Sequence, residues 1–332
     1  MNLRFINRLN RVCIGVIAAA IVTLLISNSW GGPSVTLSRI VGILDLIAMV
    51  GLVFCTVRLY QCGMLGKGRT PGHLDLPEKS RLDILKEHGE YDRSRPEKPY
   101  TYEFRMGGKV PAILEKYDYS KYLEGVEPGT DEVAFRMLDF VCDHFHHGPT
   151  AWAFNGKLTK QIKQYEKKDH KTNCRGLSKL LSSLLLLNGI KARFVGCRPY
   201  EDPFNDSHVV VDCVLPSGKR IMLDPTYRLY LMDKQGEYLS IEGLRKALLA
   251  DEEITYNPNA GYNGGTFGPE DLADYKDYMA KNLIRISSGV LFADGKEEWD
   301  VRQVILVPKG YPIENFKYTG NFVFNDEAFW RI

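Results

Sequence analysis

From Cys174 to Asn188 the chain has a helical pattern and is apolar around much of its surface, and this segment constrains the fold more than any other. Leu180, Leu181, Leu184, Leu185, Leu186 and Leu187 spread beyond a single stripe. A helix of that kind is buried on several sides. Gly189 follows it and suits the left-handed residue that closes a helix. The period then changes. Ile190 to Gly196 and Val209 to Leu215 read as strands, Pro216-Ser217-Gly218 as a turn, and Arg220 to Leu223 as the returning antiparallel partner. A central helix against such a hairpin predicts an α+β fold, with helices packed on an antiparallel sheet.

The flanking segments fit that class. A helix is expected from Thr130 until Gly148-Pro149 ends it, with Val133, Met137, Leu138, Phe140, Val141 and Phe145 as its apolar stripe. A more polar helix is expected over Lys157 to Lys168, and shorter ones over Lys79 to His88 and Glu242 to Leu249. Tyr100 to Arg105 reads as a strand or extended arm. Residues 257–268, rich in Asn and Gly, read as a surface loop, followed by a helix over Pro269 to Lys281. Strands are expected near Leu283 to Phe292 and Arg302 to Val307, and the aromatic tail from Gly310 to Ile332 is expected to pack back on the domain. The resulting organisation is an anchor over 1–58, a connector and N-terminal extension over 59–129, a core over 130–250 and a C-terminal extension over 251–332.

The anchor rests on two apolar runs. Val12 to Ile26 is interrupted only by Thr23, and Ile40 to Val57 contains Asp45 and Thr56. A membrane helix needs roughly 20 residues, and roughly 17 suffice. Two spans forming a hairpin are therefore expected, with Asp45 facing the neighbouring helix. Arg4, Arg8 and Arg11 precede the first run, Arg58, Lys67 and Arg69 follow the second, and only Arg39 lies between. That bias places both chain ends, and the soluble domain, in the cytoplasm. A cleaved first segment reverses the side to extracytoplasmic, although no A-x-A-like cleavage site is evident. The net charge of +2 over 332 residues gives no reason to expect nucleic acid as a partner.

Three residues carry candidate chemistry. Cys174 stands at the start of the leucine-rich helix, where free N–H groups and the helix dipole favour a thiolate and a nascent oxyanion. His208 opens one strand and Asp224 ends its hairpin partner, so antiparallel pairing brings the two together. Cys as nucleophile, His as base and Asp as the group that orients the imidazole form a workable acyl-transfer set. Gly176 is expected to keep the first helical turn open to a substrate, and Arg175 either to add positive potential or to be solvated. For a second oxyanion donor, Trp152, Asn155 and Gln161 lie upstream, each with a structural role as the simpler reading. His144, His146 and His147, beside Asp143, have no fourth ligand at a diagnostic spacing and read as a solvated helix end. Of the seven cysteines, Cys197 and Cys213 read as core thiols.

The stretch from Thr172 to Thr226 resembles the core of the transglutaminase-like superfamily, in a bacterial-type, membrane-anchored form. The matching pieces are Asn173-Cys174-Arg175-Gly176, Gly189-Ile190-Lys191-Ala192-Arg193, Ser207-His208-Val209 and Leu223-Asp224-Pro225-Thr226. The resemblance implies a papain-like domain with a catalytic triad: Cys174 as nucleophile, His208 as base and Asp224 as orienting residue. It implies a cysteine protease or amidase, a hydrolase that cleaves a peptide or amide bond through an acyl-enzyme without metal or organic cofactor. Protein-glutamine transamidation and non-catalytic binding of a peptide or cell-envelope component remain open within the same superfamily. Val209 and Val210 stand where many relatives carry an aromatic residue, and Thr172-Asn173 replaces the commoner glycine context before the Cys. The expected partners are a peptide or protein substrate and, through the N-terminal helices, membrane lipid.

Overall fold

The computed structural model describes residues 80–148, 156–201, 206–292, 303–313 and 321–332, together with Met49. The sheet and the helices packed on it belong to one compact unit. The expected membrane hairpin and most of the connector before residue 80 lie outside the described residues, as do Trp152 and Asn155. Among the described residues no helix is long and apolar enough to cross a membrane.

The elements run α1 (Arg81–His88), β1 (Glu103–Phe104), a 3-10 turn (Ala112–Tyr117), α2 (Tyr119–Tyr122), α3 (Glu132–His144), β2 (His146–His147), α4 (Leu158–Glu166), β3 (Lys171–Thr172) and α5 (Cys174–Leu187). They continue through β4 (Lys191–Arg198), β5 (His208–Val214), β6 (Arg220–Leu223), β7 (Leu231–Asp233), α6 (Ile241–Leu249), β8 (Ile254–Tyr256) and α7 (Pro269–Asn282). The last are β9 (Arg285–Ser288), β10 (Leu291–Phe292), β11 (Val304–Leu306), β12 (Asn321–Val323) and α8 (Asp326–Trp330). Six strands form one sheet in the order β12-β11-β9-β4-β5-β6. Its pairs are antiparallel except β11 with β12 at the edge. The architecture is mixed α+β, a largely antiparallel sheet with helices packed against it.

The central helix α5 has local reasons to start and stop where it does. Asn173 is extended and its side chain accepts a hydrogen bond from the Gly176 amide, capping the first turn. At the other end Gly189 adopts φ +77, a left-handed conformation that an L side chain resists. Leu177, Leu180, Leu181, Leu184 and Leu185 are each fully buried.

Alternation along the strands sorts side chains to two faces. Ala192, Val211, Cys213, Ile221 and Leu223 join α3, α4 and α5 in one apolar cluster. Val195, Cys197, Val210, Met222 and Ile286 join α1, α6, α7 and α8 in another. The C-terminal tail belongs to the second, with Phe329 and Trp330 buried there. It is also held by charge. Arg220 donates to the Trp330 carbonyl at 2.7 Å and to Asp212, and the wholly buried Arg193 lies 5.5 Å from the Trp330 ring.

One segment departs from the sequence expectation. α3 ends at His144 and does not run to Gly148-Pro149. Phe145 turns extended and sinks into the core, 1% exposed, so the backbone beyond it leaves the helix. His146 and His147 then pair in parallel with Lys171 and Thr172. Only His144 of the three histidines sits at a helix end. The segment 283–292 is two strands, β9 and β10, and β10 pairs with β1.

Truncating a leucine of α5 tests how central this helix is. Leu181→Ala is expected to lower unfolding free energy by ~2–5 kcal/mol in urea denaturation, because a close-packed site closes only partly around the missing atoms. Leu187, on the same helix but only partly buried, is expected to cost clearly less. Equal losses at the two positions would contradict this account of the core.

Candidate active site

The site begins in the short parallel ribbon of β2 and β3, where His147 stands opposite Thr172. Thr172 leads into the Asn173 cap, and the cap sets Cys174 as the first residue of α5. Ser178, one turn into the helix, donates to the Val209 carbonyl at 2.8 Å and ties α5 to β5 beside the site. Gly176 does not serve as an open approach. It is buried, and a Cβ there would meet Thr172 Oγ1 at 2.0 Å and Thr172 Cγ2 at 2.8 Å. Its role is to admit the Thr172 side chain against the first turn.

His208 and Asp224 come together through strand register. β5 and β6 pair Val211 with Leu223. One step further on, Asp224 falls opposite Val210, on the face that His208 also occupies. His208 Nε2 lies 2.6 Å from Asp224 Oδ2. Asp224 is wholly buried and is served by two more donors, the Tyr275 hydroxyl to Oδ2 at 2.8 Å and the Thr226 amide to Oδ1 at 2.9 Å. Its backbone exchanges hydrogen bonds with Leu229, which closes the turn after β6.

Cys174 meets this pair at the first residue of β5. His147, His208 and the Val209 backbone all lie close enough to the sulfur to stabilise its charged form. With Nε2 of His208 engaged by Asp224, Nδ1 is the nitrogen left for sulfur. The structure therefore brings Cys174, His208 and Asp224 into one chain of contacts, and adds His147 as a second imidazole on the sulfur. The thiol is half-buried, whereas Cys142, Cys197 and Cys213 are buried, and all four are free of disulfides.

The electrostatics follow from these contacts. Burial pushes the Cys174 thiol up, but the hydrogen bonds of His147 and His208, the charge of His208 and the Val209 backbone outweigh it and bring the thiol down to about 6. Burial pulls His208 down, but the Asp224 charge and hydrogen bond, with a further contribution from Cys174, raise it to about 10. Burial raises Asp224, and its bonds to His208, Tyr275 and Thr226 hold it below the usual carboxylate range. Both shifts favour a thiolate beside an imidazolium. Cys142, Cys197 and Cys213 go the other way, their thiols pushed up by burial.

Tyrosines line the imidazole side. The rings of Tyr278, Tyr227 and Tyr275 have centroids 5.3, 6.3 and 6.4 Å from His208. Tyr227 in turn meets Tyr262 at 5.6 Å. On the other side Cys174 packs against the cluster of Phe194, Val209 and Phe292, and the Arg175 guanidinium lies 5.9 Å from the Phe194 ring centroid.

Several candidates take other places. Gln161 is buried and donates to the Gly156 carbonyl at 2.9 Å, closing the turn before α4. His144 packs on Tyr117, Tyr122 and Phe140. His147 is not part of a solvated helix end. Asn263, in a left-handed conformation at φ +51, accepts from the His147 amide at 2.8 Å and donates to its carbonyl at 2.9 Å. The Tyr262 hydroxyl lies 3.0 Å from His147 Nδ1. The sequence carries no local sign of these contacts, because the partners of His147 lie 115 and 116 positions away. Tyr275 is equally hidden, 51 positions from Asp224.

No family model matches the chain, and no curated protein matches it. Two solved structures align with parts of it. One, from Parabacteroides distasonis ATCC 8503 and described as a "putative protease", is 13% identical with a TM-score of 0.26, over 41% of this chain and 27% of its own. The other, from Cytophaga hutchinsonii and described as a "putative cysteine protease", is 14% identical with a TM-score of 0.24, over 48% of this chain and 56% of its own. This chain thus spans about a quarter and just over half of their lengths, and scores this low assign it neither fold nor activity.

The packing at the helix start is open to a direct test. Gly176→Ala is expected to destabilise the protein by ~1–3 kcal/mol, the usual cost of overpacking. Thr172→Ala in the same chain removes the two atoms that crowd most and is expected to recover part of that loss. A double-mutant cycle in urea that shows strict additivity would contradict the contact.

Proposed function

We propose that this protein is a thiol-dependent acyl-transfer enzyme that hydrolyses a peptide or amide bond, and that its domain is of the transglutaminase-like, papain-like type. The observation that carries the reading is the continuous chain from the Cys174 sulfur at a helix start, through His208, to the buried carboxylate of Asp224 at 2.6 Å. In this reading the thiolate attacks the substrate carbonyl carbon. A C–S bond forms, and the carbonyl electron pair moves to oxygen. The oxyanion faces the amide end of α5, where the helix dipole favours negative charge. As the tetrahedral species collapses, the carbonyl re-forms and the C–N bond breaks. His208 passes its proton to the departing amine. Water then attacks the thioester while His208 takes its proton, and the C–S bond breaks to release the acid. Asp224 holds the ring in the orientation this requires and stabilises the imidazolium.

The N-terminal apolar runs, 12–26 and 40–57, are proposed to anchor the enzyme in a membrane as two spans, with the catalytic domain on the cytoplasmic side. Its substrate is then a peptide or protein met at that surface.

Alkylation of Cys174 by iodoacetamide, followed by peptide mass spectrometry, tests the thiolate. The rate is expected to rise with pH through an apparent value near 6 and to reach a plateau, since the deprotonated sulfur is the reactive form. His208→Ala removes a hydrogen bond and a positive charge, so the rise is expected to move toward the ordinary thiol range, about 8.5. A wild-type profile already near 8.5 would argue against an activated nucleophile.

Turnover has a second, separate signature. Hydrolysis of an activated acyl substrate is expected to follow a bell-shaped pH profile, with a lower limb from the thiol near 6 and an upper limb from the imidazolium near 10. Asp224→Asn is expected to lower kcat by roughly 10²–10⁴-fold, because it removes the charge that supports the imidazolium and its orientation. Activity at wild-type level in Cys174→Ala would remove the proposal altogether.

A further inference from the structure

Two imidazoles meet one sulfur, and they are held by different chemistry. His208 has a buried carboxylate behind it, served by three donors. His147 has a hydroxyl behind it, that of Tyr262 at 3.0 Å from Nδ1. A carboxylate supplies the charge that lets a ring take and hold a proton. A hydroxyl supplies none, but it can fix which nitrogen carries the hydrogen. A Tyr262 hydroxyl that donates to Nδ1 leaves the hydrogen of His147 on Nε2, the nitrogen not engaged by Tyr262. The two rings therefore differ in what stands behind them, a carboxylate for His208 and a hydroxyl for His147.

The backbone of His147 is also built for position. It pairs with Thr172, two residues before Cys174, so the ring and the sulfur are fixed through the same short ribbon. Asn263 grips both its amide and its carbonyl, which mimics a third strand where no strand runs. Asn263 adopts φ +51 in doing so, a conformation disfavoured for most residues. A lone polar residue at a surface needs none of this. A donor that must stand within about 3 Å of one developing charge does.

We infer that His147 is the side-chain donor of the oxyanion hole, its Nε2–H acting together with the Cys174 amide on the carbonyl oxygen during attack. The inference rests on the acyl-transfer reading above and names a residue which that reading did not require. As substrate approaches, the carbonyl oxygen becomes more negative while sulfur loses its charge to the new C–S bond. The hydrogen bond of His147 thus has reason to pass from sulfur to oxygen in the same step. An amide side chain would serve this purpose equally, because one N–H is all that is needed.

The experiment compares two reactions of Cys174 in the full-length protein. Iodoacetamide reacts by displacement at carbon and forms no oxyanion. A p-nitrophenyl acyl ester reacts by addition and forms one, releasing p-nitrophenolate as the acyl group passes to sulfur. His147→Ala, His147→Gln and Tyr262→Phe are compared with wild type at a pH above the thiol ionisation of each protein, set by its own alkylation profile. Working there removes the effect of His147 on the fraction of thiolate, and alkylation reads any change that remains in the reactivity of the sulfur. Acylation is expected to fall by about 10²–10³-fold in His147→Ala, with alkylation within about threefold of wild type. His147→Gln is expected to restore at least tenfold of the loss, and Tyr262→Phe to show a smaller loss than His147→Ala, as the tautomer loosens. Loss of acylation and alkylation in parallel in both His147 variants, or full acylation in His147→Ala, overturns the inference while leaving the Cys174 nucleophile intact. A wild-type protein that is alkylated at Cys174 but never acylated there overturns the enzymatic reading, and this inference with it.

Discussion

A carboxylate sealed in the interior is the interaction on which the rest of the site depends. Asp224 has no exposure to solvent, and an ionised group in that position is tolerated only when its oxygens are served by donors. Here three come from three directions: a strand end (His208), the turn after β6 (Thr226) and a distant helix (Tyr275). Removing one partner of a buried pair typically costs roughly 3–5 kcal/mol, because it leaves the other charge uncompensated. The same requirement fixes several larger features. The β5–β6 register must hold for His208 to reach it, the turn through Leu229 must close, and α7 must pack with Tyr275 inward. An arrangement that serves the carboxylate leaves the imidazole one place to go.

The thiol side is set by different constraints. α5 begins where it does because Asn173 caps it and because Thr172 fits against a residue with no side chain at 176. The sulfur lies between an apolar cluster on one side and imidazoles on the other. Burial alone would raise it, as happens at Cys142, Cys197 and Cys213. What separates Cys174 from those three is, besides its partial exposure, the imidazoles beside it, which outweigh burial. The helix terminus acts in the same direction, by up to ~2 kcal/mol in a partly buried setting.

Features that depend on neighbouring residues are legible in the chain. The Asn cap, the leucine helix, Gly189 and the Pro216-Ser217-Gly218 turn are written within a few positions of one another, and the strands that flank the turn are short apolar runs. Their register is set by the turn, which is why His208 and Asp224 can be paired across it. The features that escape are those made by distant partners. β2 is two residues long, too short for any periodicity, and exists only because Lys171 and Thr172 lie beside it. Phe145 continues a helical stripe as well as any residue, so nothing before the fold shows it turning inward and ending α3 early. Gly176 escapes for a related reason: a glycine signals that space is needed, not whether a substrate or a neighbouring threonine takes it.

A comparison along β5 shows why one of its two carboxylate clusters suits chemistry and the other suits structure. His208, Val210 and Asp212 share a face of the sheet. Asp212 is wholly buried, accepts from Arg193 at 2.8 Å and Arg220 at 2.7 Å, and is held below the usual carboxylate range, burial being outweighed by the two guanidinium charges. Guanidinium groups do not release protons in the accessible pH range. That cluster therefore keeps its charges at any working pH, and it binds β4, β5 and β6 to the C-terminal tail. At the other end of the strand the partner is an imidazole, which Asp224 raises to about 10, still far below a guanidinium. The half-buried thiol of Cys174 lies beside that imidazole. The fold thus solves the burial of a carboxylate twice on one face of the sheet. The identity of the cation, Arg or His, decides which solution can move a proton.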